Sequence, residues 1–415
     1  MGFVAWVCSA SLAMLVGDAA LGQSPALTAT HAKRELTLVG KPGELDILRK
    51  VPTASAFLAA VSDVAGVLVV AHAPQPTYTQ ALPEHFPITD DADLTVFKLD
   101  AQGEVGAGSP IRLPRVAKLA ARRQYPLSVA VHPKLPLLYV WQDVVAPAEK
   151  APRDDQATDG FKHLHIYDLA ASPPKLVQSA CWDESFSRGN SAAVVGLDRA
   201  GTKLFLPNMQ RPTKTGTASM IGYLKLAADG KVADDTPAAY AAALKTSLYG
   251  ETPCGLGYYD VSDSVTILCA GLGPCTWDER NRRAQLNVLT FFPTVGAGYR
   301  YRMAVNPTSS TVYLTGLGSA SVFRVEHVDG FFTMWPQRGT FDGGLLVTSP
   351  PVIVGTRPLV ACSTVGFVHL LKLDAEGFFN GERVDIALTS RKVEALTYSA
   401  KYDRLYATFE EVKKK

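Results

Sequence analysis

The side chains best suited to chemistry are a scattered set of arginines, amides and carboxylates. Arg300 and Arg302 are spaced by one, so on an extended strand both guanidinium groups leave the same side. Set beside Glu394, such a pair can hold an anionic ligand bidentately; it can equally line a wet channel with ion pairs that satisfy one another. Arg188 and Asn190 form a second polar group, Asn208 and Gln210 a third, and Glu251 stands alone. Trp141, Gln142, Asp143 and His72 follow apolar runs. The ligand-binding candidates are Arg188, Asn190, Asn208, Gln210, Arg300, Arg302, Trp141 and Asp143. Arg188, Glu251 and Glu394 are the candidates for catalysis.

Other constellations are thinner. His163 and His165 would share one strand face, as a metal pair does, but no third ligand is identifiable and an ordinary strand is the better reading. Asp154, Asp155, Asp159 and Gly160 make an acidic stretch without the ordered spacing of a calcium loop. No glycine-rich phosphate loop lies between a strand and a helix, and no Gly-x-Ser-x-Gly elbow occurs. No metal and no cofactor is expected. Arg280, Arg282 and Arg283 beside Trp277 read as a basic loop tip.

The chain has no Cys-x-x-Cys pair, so neither a zinc ribbon nor a thioredoxin-type site is supported. A Cys254–Cys275 disulfide would close about 20 residues, for roughly 3 kcal/mol in the chain-entropy account. Cys181 is a competing partner. Cys269 and Cys362 fall within strands and read as buried thiols.

These residues need elements to position them, and composition bounds what those can be. Lys and Arg number 41 against 39 Asp and Glu, a net charge of +2 that gives no basic excess for nucleic acid. An apolar content of 47% excludes a disordered chain, and 415 residues ask for several cores or one repeat-built body. A repeat is present. An apolar strand, a polar turn and a second apolar strand recur at Phe57–Val70, Ser128–Val140, Ala193–Leu206, Gly257–Cys269, Met303–Leu314, Leu345–Cys362 and Ala395–Ala407. Third strands of alternating pattern follow, as at Leu94–Leu99, Leu164–Leu169 and Val322–Val325. Fourth strands come next, as at Lys175–Ser179. Four strands per unit is the blade of a β-propeller.

The seventh unit stops after two strands. A hairpin of Glu35–Val39 and Leu45–Val51 supplies two more, which predicts an all-β, seven-bladed propeller closed by its N-terminal strands. One helix is expected, at Pro237–Tyr249, with Thr236 as its cap and Gly250 beyond its end. In this architecture the start of each inner strand and the connection after each second strand share one face, around the channel, and the candidates above gather there. The connections after the second strands read as long in the first four units, roughly His72–Asp91, Asp143–Gly160, Asn208–Ala218 and Gly271–Ala284, and short in the fifth and sixth.

The form Ala130-Val131-His132-Pro133, then Leu138-Tyr139-Val140, then Ile166-Tyr167-Asp168-Leu169 resembles the YVTN-repeat and lactonase-type seven-bladed propellers, which include 6-phosphogluconolactonase-like hydrolases. The resemblance spans most of residues 35–412 and rests on blade-forming residues. It implies an Arg-His pair at one inner strand and Asn-Glu after the following strand. This chain has Arg188-Gly189-Asn190 and Asn208-Met209-Gln210, so the arginine and an asparagine have counterparts while the histidine and glutamate do not. Asn and Gln cannot exchange a proton near neutral pH, which weakens the hydrolase. His132 stands in a turn on the opposite face.

Phe3–Val16 followed by Ala20-Leu21-Gly22 reads as a secretory signal peptide over residues 1–22, ahead of a single propeller domain over 23–415. No membrane span is expected. The expectation is an exported monomer, periplasmic or extracellular, binding a small molecule or a protein partner at the channel mouth. A lactonase-type hydrolase is the alternative; a quinone-linked dehydrogenase subunit also uses seven blades but has no cofactor signature here.

Overall fold

The chain divides into two compact units, Met1–Leu36 and Thr37–Lys415. This computed structural model describes residues 37–38, 47–52, 56–72, 92–114, 123–145, 161–182, 196–213, 216–233, 244–245, 253–259, 264–269, 273–278, 283–286, 300–305, 311–317, 321–328, 331–334, 340–342, 349, 351–355 and 357–409, all in the second unit. Every regular element among them is a strand. The long N-terminal apolar run, with the export reading built on it, lies outside these residues. Among the described residues no helix is long and apolar enough to cross a membrane.

Among the described residues two short strands come first, β1 (Thr37–Leu38) and β2 (Leu48–Pro52). The first sheet is then β3 (Ala56–Ser62), β4 (Val67–His72), β5 (Leu94–Leu99) and β6 (Val105–Ile111). The second is β7 (Arg123–Val131), β8 (Leu137–Val145), β9 (Phe161–Asp168) and β10 (Lys175–Trp182). The third is β11 (Gly196–Leu197), β12 (Lys203–Thr213), β13 (Gly216–Lys225) and β14 (Leu244–Lys245). The fourth is β15 (Pro253–Tyr259), β16 (Ser264–Cys269), β17 (Gly273–Asp278) and β18 (Arg283–Leu286). The fifth holds β19 (Arg300–Val305), β20 (Thr311–Leu317), β21 (Ser321–Val328), β22 (Phe331–Met334) and β23 (Thr340–Asp342). The last contains β24 (Val352–Val354), β25 (Leu359–Leu373), β26 (Phe379–Ser399) and β27 (Arg404–Phe409).

In the first four sheets the strands pair antiparallel in chain order. The last sheet is six-stranded and is joined through β26, whose 21 residues pair first with β25 and then, from Val393 onward, with β27. Sheet packs on sheet in chain order: β3 against β7, β7 against β11, β12 against β15, β15 against β19 and β19 against β24. β26 and β27 then pack on β3.

The strands carry apolar residues on both faces because each sheet lies between two others. One face of β8 (Leu138, Val140) packs with Val67, Val69 and Val96 of the first sheet. Its other face (Tyr139, Trp141) packs with Leu204 and Leu224 of the third. Leu68, Val70 and Val51 surround Tyr406 of β27. Each such fully buried aliphatic side chain is worth about 1.5–3 kcal/mol relative to exposure.

A second device joins neighbouring sheets. Tyr139 of β8 donates to the carbonyl of Gly230 at 2.6 Å, Tyr313 of β20 to Gly377 at 2.8 Å, and Tyr406 of β27 to Gly103 at 2.8 Å. Tyr139 and Tyr313 sit on the second strands of their sheets and Tyr406 on β27; Gly103 and Gly230 lie in turns after third strands and Gly377 in the turn between β25 and β26. The glycine has φ +77° at Gly103 and Gly230 and +80° at Gly377, a left-handed turn position that leaves its carbonyl aimed outward. A Cβ at Gly230 would stand 2.4 Å from Leu137 Cδ1, so close approach reinforces the requirement. Asp100 and Asp374 brace two of these turns, each Oδ1 accepting two backbone N–H groups at 2.8–3.0 Å.

Several expectations change. β1 and β2 do not form a hairpin: β2 pairs with β27 and β1 with β26, both in parallel. Parallel addition still supplies β27 with backbone partners, from Leu48↔Leu405 to Pro52↔Phe409. Leu244–Lys245, inside the expected helix, is instead the edge strand β14 on Met220 and Ile221. Pairing along β13 outweighs the Ala-rich local preference there. Asn208–Ala218 is no loop but the extended β12–β13 hairpin, paired from Met209↔Met220 to Thr213↔Gly216. Gly271–Ala284 likewise holds β17, paired with β16 from Cys269↔Gly273 to Ser264↔Asp278.

Candidate functional site

Those of the expected site residues that are described lie on several sheets. Arg188, Asn190 and Glu251 lie outside the described residues. Asn208 and Gln210 belong to β12, where Gln210 pairs with Ser219. Arg300 and Arg302 sit on β19 opposite Leu317 and Thr315, which places both on one face of that strand as their spacing predicts. Glu394 is in β26, on a different sheet. Asp143 is paired in β8 between Tyr125 and Lys162. Trp141 is only 4% exposed and belongs to the core between the second and third sheets, not to a surface mouth. Cys254 on β15 and Cys275 on β17 flank β16, two strand spacings apart or roughly 9.5 Å. Cys362 is a fully buried free thiol, as expected, and burial raises its pKa to about 12.

What the structure does bring together is a set of partly buried polar chains, each joining residues within one sheet. In the first sheet His72 Nε2 meets Thr95 Oγ1 at 2.8 Å. In the second, His165 bonds Gln142 Oε1 through Nε2 at 2.7 Å and Ser179 Oγ through Nδ1 at 2.8 Å. In the last, Thr364 Oγ1 bonds His369 Nε2 at 2.8 Å, and His369 Nδ1 bonds Asp385 Oδ1 at 2.7 Å. Arg383 Nε lies 3.0 Å from the same carboxylate oxygen. The first two share one placement. Val70↔Thr95 and Val140↔His165 are directly opposite pairs, and His72 and Gln142 each stand two residues beyond that pair on the second strand. Ser179 opposes His165 as Asp385 opposes His369.

These chains end near the connections that follow the second strands. Burial lowers the pKa of His165 to about 4, with His163 adding a smaller push in the same direction, so its ring is neutral at pH 7. His163 stacks on His165 at 6.0 Å, but both nitrogens of His165 are engaged. Among the described residues no group of three or more His, Cys, Asp or Glu could hold a metal ion. Thr364–His369–Asp385 has the connectivity that activates a hydroxyl nucleophile in acyl transfer. Its exposure runs the wrong way for that chemistry. The hydroxyl and imidazole are 1% and 3% exposed, and the carboxylate end, at 17%, is the more open. With equivalents in two other sheets that lack the triad order, it is a structural relay that satisfies polar groups inside a seam.

The opposite edge, with the turns after the first and third strands, is stitched from sheet to sheet. The three tyrosine–glycine bonds fall there. So do His132 on Gly201 at 3.0 Å, Gln178 on Val232 through two bonds, and the Arg357–Asp403 ion pair. Asp63 accepts from Ser399 Oγ and from the backbone N–H of Ala400 and Lys401, which ties the first sheet's turn to that of β26 and β27. The sequence carried a signal for this edge that alternating patterns do not reveal: Lys98-Leu99-Asp100-Ala101-Gln102-Gly103, Lys225-Leu226-Ala227-Ala228-Asp229-Gly230 and Lys372-Leu373-Asp374-Ala375-Glu376-Gly377 are one hexapeptide repeated.

The fold and its stitched seams define an all-β protein of successive antiparallel sheets. A solved structure of a candidate 6-phosphogluconolactonase from Bacteroides uniformis is similar, with TM-score 0.50, 10% identity, 82% of this chain and 88% of that chain covered. A chain of the mitotic checkpoint complex (TM-score 0.49, 13% identity, covering 88% of this chain and 97% of that one) and a functionally unknown protein from Desulfotomaculum acetoxidans (0.46, 11%, 85% and 89%) align more loosely. At such identity the first likeness speaks for a lactonase-like fold and not for an activity. No family model matches the chain, and no curated protein matches it.

Proposed function

We propose that the chain is an exported seven-bladed β-propeller that binds a small molecule or a protein partner at the edge opposite the stitched turns. Seven blades follow if β26 serves two of them, as outer strand up to about residue 387 and as inner strand from Val393. Closure is supported by Tyr406 and Gly103, whose bond repeats between last and first sheets what Tyr139–Gly230 makes between two consecutive ones. The observation that carries the binding reading is the one-sided stitching. Interlocked turns hold one edge rigid, while the other carries the connections of 21 residues between β4 and β5 and 15 between β8 and β9. Function is commonly placed on such connections, held by a rigid scaffold.

The second reading is a lactonase-type hydrolase, favoured by the fold likeness to the Bacteroides protein. Purified protein offered a panel of sugar lactones, 6-phosphogluconolactone included, separates the two. The binding reading expects no hydrolysis above the spontaneous rate, and a small molecule or protein retained on the chain purified from its native host. Turnover that disappears in Arg188→Ala would overturn it.

A further inference from the structure

We propose that His132 is an acid-sensitive latch between the second and third sheets. The residue sits in the turn between β7 and β8 and is 4% exposed. Its Nδ1 accepts two backbone N–H groups, from Lys134 and Leu135, each at 3.0 Å. Its Nε2 lies 3.0 Å from the carbonyl oxygen of Gly201, in the turn between β11 and β12 of the next sheet. An amide N–H can only donate and a carbonyl can only accept. The tautomer is therefore fixed by geometry: Nδ1 bare, Nε2 protonated, ring neutral.

A second proton has nowhere to go but Nδ1, and there it points at two amide hydrogens. Protonation thus removes the acceptor of Lys134 and Leu135, and the ring can no longer hold its place against Gly201. That place is tight. Gly201 has φ +74°, and a Cβ on it would stand 2.3 Å from His132 Cε1. The charged groups facing the ring do not relieve the conflict. Burial lowers its pKa most; the Gly201 carbonyl and the Asp198 carboxylate of the neighbouring turn pull the other way, and Lys134 of its own turn adds to the lowering. Asp198 also holds the N–H groups of Thr202 and Lys203 and the Thr202 hydroxyl. Tyr139, stacked 6.3 Å from the ring, makes the second bond of this seam, to Gly230. Burial drives its phenol pKa upward, so that bond persists in acid while the His132 bond fails.

The sign follows from linkage. A histidine whose folded pKa is depressed leaves the latch intact above about pH 6.5 and weakens it as pH falls toward the folded value. With one proton taken up on opening, the opening equilibrium rises by up to about tenfold per pH unit in that window.

The test is amide hydrogen exchange on the full chain between pH 7 and pH 5, corrected for intrinsic rates. Lys134 and Leu135 should lose protection by up to about tenfold per unit relative to Leu370 of β25, and His132→Gln should abolish that pH dependence. Uniform behaviour of the three amides, or the same acid loss in a folded His132→Gln, overturns the proposal. Should His132→Gln not fold, nitrogen NMR of the wild-type ring decides: a bare Nδ1 and a titration below pH 6.5 support the latch, and a protonated Nδ1 at pH 7 refutes it.

Discussion

Replacing Tyr406 by Phe removes one oxygen and leaves the ring packed among Val51, Leu68 and Val70. The lost bond runs to Gly103, whose carbonyl is buried and has the 2.8 Å tyrosine hydroxyl as partner. A made hydrogen bond contributes about 0.5–1.5 kcal/mol net, but stranding a buried acceptor costs about 1–3 kcal/mol. The larger figure applies, because the Phe ring fills the space by which water would reach that carbonyl. Tyr139→Phe should cost the same, since Gly230 is buried as well, and Tyr313→Phe less, since Gly377 is half-buried. Urea unfolding followed by far-UV circular dichroism at pH 7.5 measures all three. The two large losses should add in the double variant, because they sit in different seams. If Tyr406→Phe is neutral while Tyr139→Phe loses more than about 1 kcal/mol, the last and first sheets are not joined as consecutive sheets are, and the closure argument fails.

Gly230→Ala should destabilise by more than Tyr139→Phe, above about 2 kcal/mol, because it meets both φ +77° and a 2.4 Å contact with Leu137; an unchanged unfolding midpoint would refute the turn assignment. Stability should be full above about pH 6.5 and decline toward pH 4, because the folded pKa values of His165 (about 4) and His132 are both depressed; a thermal midpoint flat over that range would contradict the neutral tautomers. Thr364→Val should cost about 0.5–1.5 kcal/mol by removing the hydroxyl bonded to His369 Nε2, and should leave any lactone turnover untouched; loss of turnover with retained stability would restore Thr364 as a nucleophile. Asp63→Ala should lower the urea midpoint by removing the acceptor shared by Ser399, Ala400 and Lys401, and no change would mean that this clamp is solvent-compensated.

Much of the strand order was legible because sheets buried on both faces demand apolar runs: Leu137–Val140, Leu204–Phe205 and Leu405–Ala407 announce strands directly. The tyrosine of that run was visible too, although its role was not, since the bond from Tyr139 to Gly230 joins residues 91 apart in the chain. The expected helix at 237–249 failed at Leu244–Lys245 because local preference does not register the open edge of β13. The N-terminal segment Leu48–Pro52 does join the C-terminal sheet, but parallel to β27 and not as part of a hairpin; period-2 patterns carry no strand direction. The site was the least legible. Trp141 reads equally well as a mouth residue or as core, and only its neighbours Leu164 and Leu204 decide for core. The polar chains through His165 and His369 went unassembled because each joins single residues from two or three strands.

An experimentally determined structure of the chain tests the proposed closed ring of seven sheets. Seven sheets about one axis are expected, with Leu48–Pro52 lying beside Arg404–Phe409 and the Tyr406 hydroxyl on the Gly103 carbonyl. Six or eight sheets, or residues 48–52 paired elsewhere, would contradict it.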